Sequence, residues 1–101
     1  MTTPEKTEQY EKRTMTATIP YPNNERNFIL IHRIVPVGEG MTENVDVRRF
    51  FTSSRDGTLR PSKNGIHLRL DMLEDALAGI WAALTPDERK RCMARLKKIK
   101  D

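Results

Sequence analysis

Two adjacent phenylalanines set among arginines are the residues whose type and spacing carry chemistry in this sequence. They lie in the block Val45–Leu70, VDVRRFFTSSRDGTLRPSKNGIHLRL. Unpaired nucleobases stack on aromatic faces at about 1–3 kcal/mol each, while Arg and Lys follow the phosphates. Stacked duplex presents no such free base faces, so the combination points to single strands. Strand alternation places Val45, Val47, Arg49 and Phe51 on one face and Asp46, Arg48 and Phe50 on the other. A core on one face therefore takes one phenylalanine and leaves the other for stacking. The alternative is that both are covered, the second by a helix or a partner subunit.

Other chemistries find little support. His32, His67 and a single cysteine, Cys92, cannot supply a four-ligand zinc site of the usual kind. Neither GxxxxGK[ST] nor GxGxxG occurs. No motif places a pair of titratable groups for acid–base work. The sequence predicts a non-enzyme without a cofactor. Its histidines read as surface or satisfied core imidazoles, Cys92 as a small hydrophobe and Trp81 as a core or interface residue.

The charge is distributed unevenly. The chain of 101 residues has a net charge of +4, with 32% charged and only 37% apolar residues. Over residues 28–70, seven basic residues (Arg33, Arg48, Arg49, Arg55, Arg60, Lys63 and Arg69) face four acids. Residues 71–84 carry only Asp71, Glu74 and Asp75, and residues 85–101 carry seven basic residues against three acids. Two basic zones thus flank an acidic one, and a basic patch attracts polyanions by counterion release. The small apolar inventory calls for a partner surface or a disordered segment. No apolar run approaches a membrane span, and no basic start leads into an apolar stretch, so the expected location is intracellular.

These side chains need a scaffold. Residues 1–27, rich in Thr, Glu and Pro, are expected to form a mobile tail. Phe28–Val37 is β-branched and predicts a strand, followed by a turn at Glu39-Gly40-Met41-Thr42-Glu43-Asn44. Val45–Phe51 predicts a second strand, and Asp56-Gly57 marks a hairpin. Thr58-Leu59-Arg60 starts a third short strand, Pro61–Gly65 turns or bends it, and Ile66–Leu70 alternates as a fourth. Leu73, Ala76, Leu77, Ile80, Trp81 and Leu84 then recur at helical spacing over about 71–84, behind a cap at Asp71. Ala78, Gly79, Ala82 and Ala83 are small enough to admit a close neighbour. Thr85-Pro86-Asp87-Glu88 is a capping-box start for a second, basic helix over about 86–100.

The strand Val45–Phe51, the hairpin and the segment Arg60-Pro61-Ser62-Lys63-Asn64-Gly65-Ile66-His67-Leu68 resemble the transcriptional positive cofactor four family of coactivators. Its members carry an I-D-I-R-E-Y/F-W/F strand and a K-P-G-K/R-K-G-I-S/A-L segment before a closing helix. The resemblance covers about residues 28–84 and matches in element order and spacing. It implies an α+β, ββββα fold: a curved four-stranded antiparallel sheet followed by a helix. Residues 28–84 would form the binding domain, between the tail (1–27) and an extra basic helix (85–101).

The same resemblance implies a homodimer that binds single-stranded or melted DNA with little sequence preference and takes part in transcription, with the transcription machinery as a further partner and the nucleus as its place in a eukaryote. Arg48 stands at the strand arginine, Phe51 at the stacking aromatic, and Arg60 and Lys63 at basic positions. Arg49 replaces a common acid, Ser62 a glycine and Asn64 a lysine. Arg33 is the one candidate contact of the first predicted strand. The implied DNA-binding set is Arg33, Arg48, Arg49, Phe51, Arg60, Lys63 and Asn64. The implied dimer contact is Leu73, Leu77, Ile80, Trp81 and Leu84. A rival reading stays open: a protein-interaction module, or an RNA-binding dimer, whose basic helix is the docking element.

Overall fold

The computed structural model describes residues 11–38 and 42–99. The first ten residues of the expected tail and Glu39-Gly40-Met41 of the expected turn lie outside the described residues. The chain divides into two compact units, residues 1–70 and 71–101.

The first unit is an antiparallel meander of four strands in the order β1-β2-β3-β4. These are β1 (Glu11–Tyr21), β2 (Asn24–Pro36), β3 (Asn44–Thr52) and β4 (Leu59–Arg69). Two of them correct the sequence reading. Residues 11–21 are a strand, where a mobile tail was expected. β1 pairs with β2 from Glu11↔Pro36 to Tyr21↔Asn24, across a turn at Pro22-Asn23. The strand is polar because it is an edge, where one ladder and the β-branched Thr14, Thr16, Thr18 and Ile19 suffice. Thr16 falls in a register shift, and its Oγ1 donates to the Ile31 carbonyl at 3.3 Å. Pro20 adjoins a second shift, as suits an edge-strand proline. The third and fourth short strands are one strand, β4, with an irregularity where a turn was expected.

The β2–β3 ladder is unbroken from Asn27↔Phe51 to Ile34↔Asn44. Leu30, His32 and Ile34 therefore share a face with Asp46, Arg48 and Phe50. Leu30 and Ile34 are the buried apolar side chains among the described residues, and Asp46 is fully buried beside them. The His32 and Phe50 rings lie 5.9 Å apart. The opposite face is also apolar: Ile29, Ile31, Val45 and Val47 are half-buried, and Ile66 is exposed. Between β3 and β4, Gly57 takes a φ of 74° that an L side chain resists, and its N–H donates to the Ser53 carbonyl.

The second unit is a helix pair, α1 (Leu70–Ala83) and α2 (Pro86–Leu96). Asp71, expected as the cap, falls instead inside the first turn of α1, one position after its first residue, Leu70. Thr85 caps α2 through the full capping box: its Oγ1 accepts from Glu88 N at 3.2 Å, and Glu88 Oε1 accepts from Thr85 N at 2.8 Å. Those bonds hold the Glu88 carboxyl below its usual range. Arg89 ties the helices together. Its Nε donates to the Trp81 carbonyl at 2.9 Å, its Nη2 to Ala82 at 3.2 Å, and its guanidinium lies 5.9 Å from the Trp81 ring centroid. One of the seven C-terminal cations thus serves the end of α1.

Candidate nucleic-acid interface

The irregularity in β4 shapes the site. Arg48 pairs with Gly65 and Phe50 with Pro61, so Ser62, Lys63 and Asn64 stand opposite Arg49 alone. This bulge is held by its own first residue. Ser62 Oγ donates to the Arg49 carbonyl at 2.8 Å and accepts from Asn64 N at 3.0 Å. The Ser62 carbonyl in turn accepts from Arg48 Nη1 at 3.0 Å. The Ser62 hydroxyl is thus the pin of the bulge.

Around the bulge opens a cavity of about 700 Å³, lined by Arg13, Arg48, Arg49, Phe50, Phe51, Pro61, Ser62, Lys63 and Asn64. Its size is that of an ordinary ligand site. The lining mixes cations, two aromatic rings and no acid. Each cation differs in what it has left to offer. Arg49 Nη1 donates to Asn27 Oδ1 at 2.9 Å, and Arg13 is ion-paired with Glu11. The Lys63 ammonium has no partner among the described residues.

Arg48 is the most committed. Its Nε and Nη2 donate to Asp46 Oδ2 and Oδ1 at 3.2 and 3.0 Å. The hydrogen bond to Asp46 raises its pKa against the opposing effect of burial. Asp46 also lies 3.3 Å from His67 Nε2, and His67 Nδ1 is 3.2 Å from Asn44 Oδ1.

Of the seven sequence-derived DNA-binding candidates, Arg48, Arg49, Phe51, Lys63 and Asn64 meet at this cavity. Arg33 and Arg60 do not line it. Arg33 projects on the other face from Arg48, in register with Val45, and its Nε donates to Glu43 Oε1 at 3.1 Å. Arg60 Nη2 donates to Asp56 Oδ2 at 3.0 Å within the hairpin. Asp56 also accepts from the hydroxyl and N–H of Thr58, and the three bonds lower its pKa to about 2. The sequence reading missed Arg13, because it sits in the segment taken for a tail. The alternating threonines of that segment were the available signal.

In the helix pair, Leu77, Ala78, Ile80, Trp81, Leu84, Cys92 and Leu96 line an apolar cavity of about 440 Å³. It includes four of the five dimer-contact candidates, and Leu73 stands apart from it, half-buried on α1. Leu77 and Ile80 are 66% and 59% exposed.

Among the described residues, no group of three His, Cys, Asp or Glu side chains is placed to hold a metal, and no helix is long and apolar enough to cross a membrane. Compared with known proteins, the chain matches no family model, no curated protein and no solved structure.

Proposed function

We propose that this protein is a non-catalytic, homodimeric binder of single-stranded DNA, acting on melted or unpaired strands in the manner of a transcriptional coactivator. One observation carries the reading. Residues picked from the sequence for strand binding, drawn from two strands, line a single cavity with two aromatic rings, several cations and no acid. Such a surface suits a strand whose bases are free: phosphates go to the cations, and a base lies on a ring. Phe51 is the stacking residue in this reading, because Phe50 already packs toward His32.

The dimer is supported by the shortage of core. Two apolar side chains of the described residues are buried, while Leu77 and Ile80 of α1 are more than half exposed. A second copy of the chain would cover them by two-fold pairing. Fluorescence titration with matched single-stranded and duplex DNA, and with single-stranded RNA, tests the binding reading. Tighter binding of single-stranded DNA is the expected result. Equal affinity for strand and duplex, or no binding, overturns it, and tighter binding of RNA moves the function to RNA.

A further inference from the structure

We infer that Arg48 is a positioning residue of the proposed strand-binding site: it fixes the bulge that presents Lys63 and Asn64, and does not itself hold a phosphate. The inference rests on the strand-binding reading for its ligand, and on the geometry around Ser62 for its content.

A guanidinium has five N–H donors. Those of Arg48 are directed inward. Two bond to opposite oxygens of Asp46, one bonds to the Ser62 carbonyl, and Nη2 lies 3.2 Å from His67 Nε2. The side chain is 18% exposed and its carboxylate partner 0%. With four of the five donors taken, Arg48 could grip a phosphate with two of them only by turning away from Asp46, and a carboxylate with no exposed surface would lose its guanidinium partner, a costly state. The same swing would release the Ser62 carbonyl. Lys63, by contrast, has nothing to give up.

The backbone beneath is built for this placement. Gly65 is the register partner of Arg48, and a Cβ on it would stand 2.5 Å from the guanidinium carbon. That approach is far inside van der Waals contact, so the side chain lies where it does because residue 65 has none. From there the connection to the cavity is short: Asp46 holds Arg48, Arg48 holds the Ser62 carbonyl, and the Ser62 hydroxyl holds Arg49 and Asn64. Lys63 sits at the apex of a loop fixed on both sides.

Two charge-conserving variants test the role. In Arg48→Lys the ammonium can meet Asp46 but cannot bridge to Ser62 as a fork does. In Gly65→Ala the arginine remains and is displaced. Both are compared with Lys63→Ala in titrations of a single-stranded oligonucleotide at several salt concentrations. Lys63→Ala should flatten the slope of log K against log salt by about 0.7, one phosphate contact. Arg48→Lys and Gly65→Ala, which keep every charge but misplace Lys63, should lose affinity roughly three- to tenfold, about the worth of one hydrogen bond, and flatten the slope by no more than Lys63→Ala does. Adding Lys63→Ala to Gly65→Ala should cost much less than it does in the wild type.

Hydrogen exchange reads the bulge without any ligand. The Asn64 amide should lose protection in Arg48→Lys and Gly65→Ala and keep it in Lys63→Ala. Wild-type affinity in Arg48→Lys, full additivity with Lys63→Ala, or unchanged Asn64 protection in both variants would overturn the positioning role. A wild type that binds no single strand removes the binding reading instead, and the Asn64 amide still reports whether Arg48 holds the bulge.

Discussion

Asp46 and Arg48, two residues apart on β3, meet side by side on one face of the sheet, and both carboxylate oxygens are bonded to the guanidinium. Spacing of two on a strand makes them same-face neighbours. Burial makes the pair consequential, since Asp46 has no exposed side-chain surface. Exposed ion pairs contribute little, but breaking a buried one leaves an uncompensated charge.

Arg48→Met is therefore expected to destabilise the fold by about 3–5 kcal/mol, measured by urea unfolding. Replacing both partners, Asp46→Leu with Arg48→Met, should recover most of that loss, because no charge then stays buried. A single-variant cost below about 1 kcal/mol would place the pair with ordinary surface ion pairs.

The adjacent phenylalanines should separate in their effects. Phe51→Ala is expected to weaken single-strand binding by about 1–3 kcal/mol and leave the unfolding midpoint nearly unchanged. Phe50 packs toward His32 on the face that holds Leu30 and Asp46, so Phe50→Ala should chiefly cost stability. Oligonucleotide titration and urea unfolding of the same two proteins give the comparison. If Phe51→Ala unfolds, or binds like the wild type, Phe51 is not the stacking platform.

The hairpin carries a pH dependence of defined sign. Asp56 has its pKa lowered to about 2 by bonds from Thr58 and Arg60. An unfolded aspartate titrates near pH 4. The folded state therefore binds its proton less readily, and the stabilisation is present above about pH 4 and lost as pH falls toward 2. Asp56→Asn should be less stable than the wild type at neutral pH. The difference should shrink below about pH 4 and vanish near pH 2. A gap between the two urea midpoints that persists unchanged at pH 2 would contradict the assignment.

How far the sequence speaks depends on how local the determinant is. The alternation of Val45–Phe51, the Asp56-Gly57 turn and the Thr85–Glu88 capping box are set by neighbouring residues, and each is found in place. β1 was hidden because an edge strand needs no apolar period, and its partner, β2, follows it in the chain. Pro61 and Gly65 read as a turn, since proline and glycine punctuate chains. Yet on an edge strand the same residues bound a bulge, which needs the β3 register to become visible. Most of the cavity lining was legible because residue type alone marks Arg, Lys and Phe. What those cations are bonded to was not, since the distinction between Arg48 and Lys63 lies in burial and in the carbonyl of Ser62.

Trp81 on α1 and Leu84 just after it are half-buried, but Leu77 and Ile80 point out at 66% and 59% exposure, beside a cavity that Cys92 and Leu96 complete from α2. Ala78 and Gly79 on the same helix are small, so another helix can approach closely. A patch of this kind on a chain with so few buried apolar residues is unfavourable in a monomer and is covered when two copies meet about a two-fold axis. Light scattering at micromolar concentration should therefore give about twice the chain mass of 11.7 kDa. Ile80→Asp would place a charge in the contact and should yield a monomer. Leu77→Ala, a milder truncation, should raise the dissociation constant while the helix content by circular dichroism stays near wild type. If the proposed paired sites act together, strand affinity should fall with the fraction of dimer as the protein is diluted. A wild-type mass near 11.7 kDa, or a dimer indifferent to both substitutions, would remove α1 as the dimer contact.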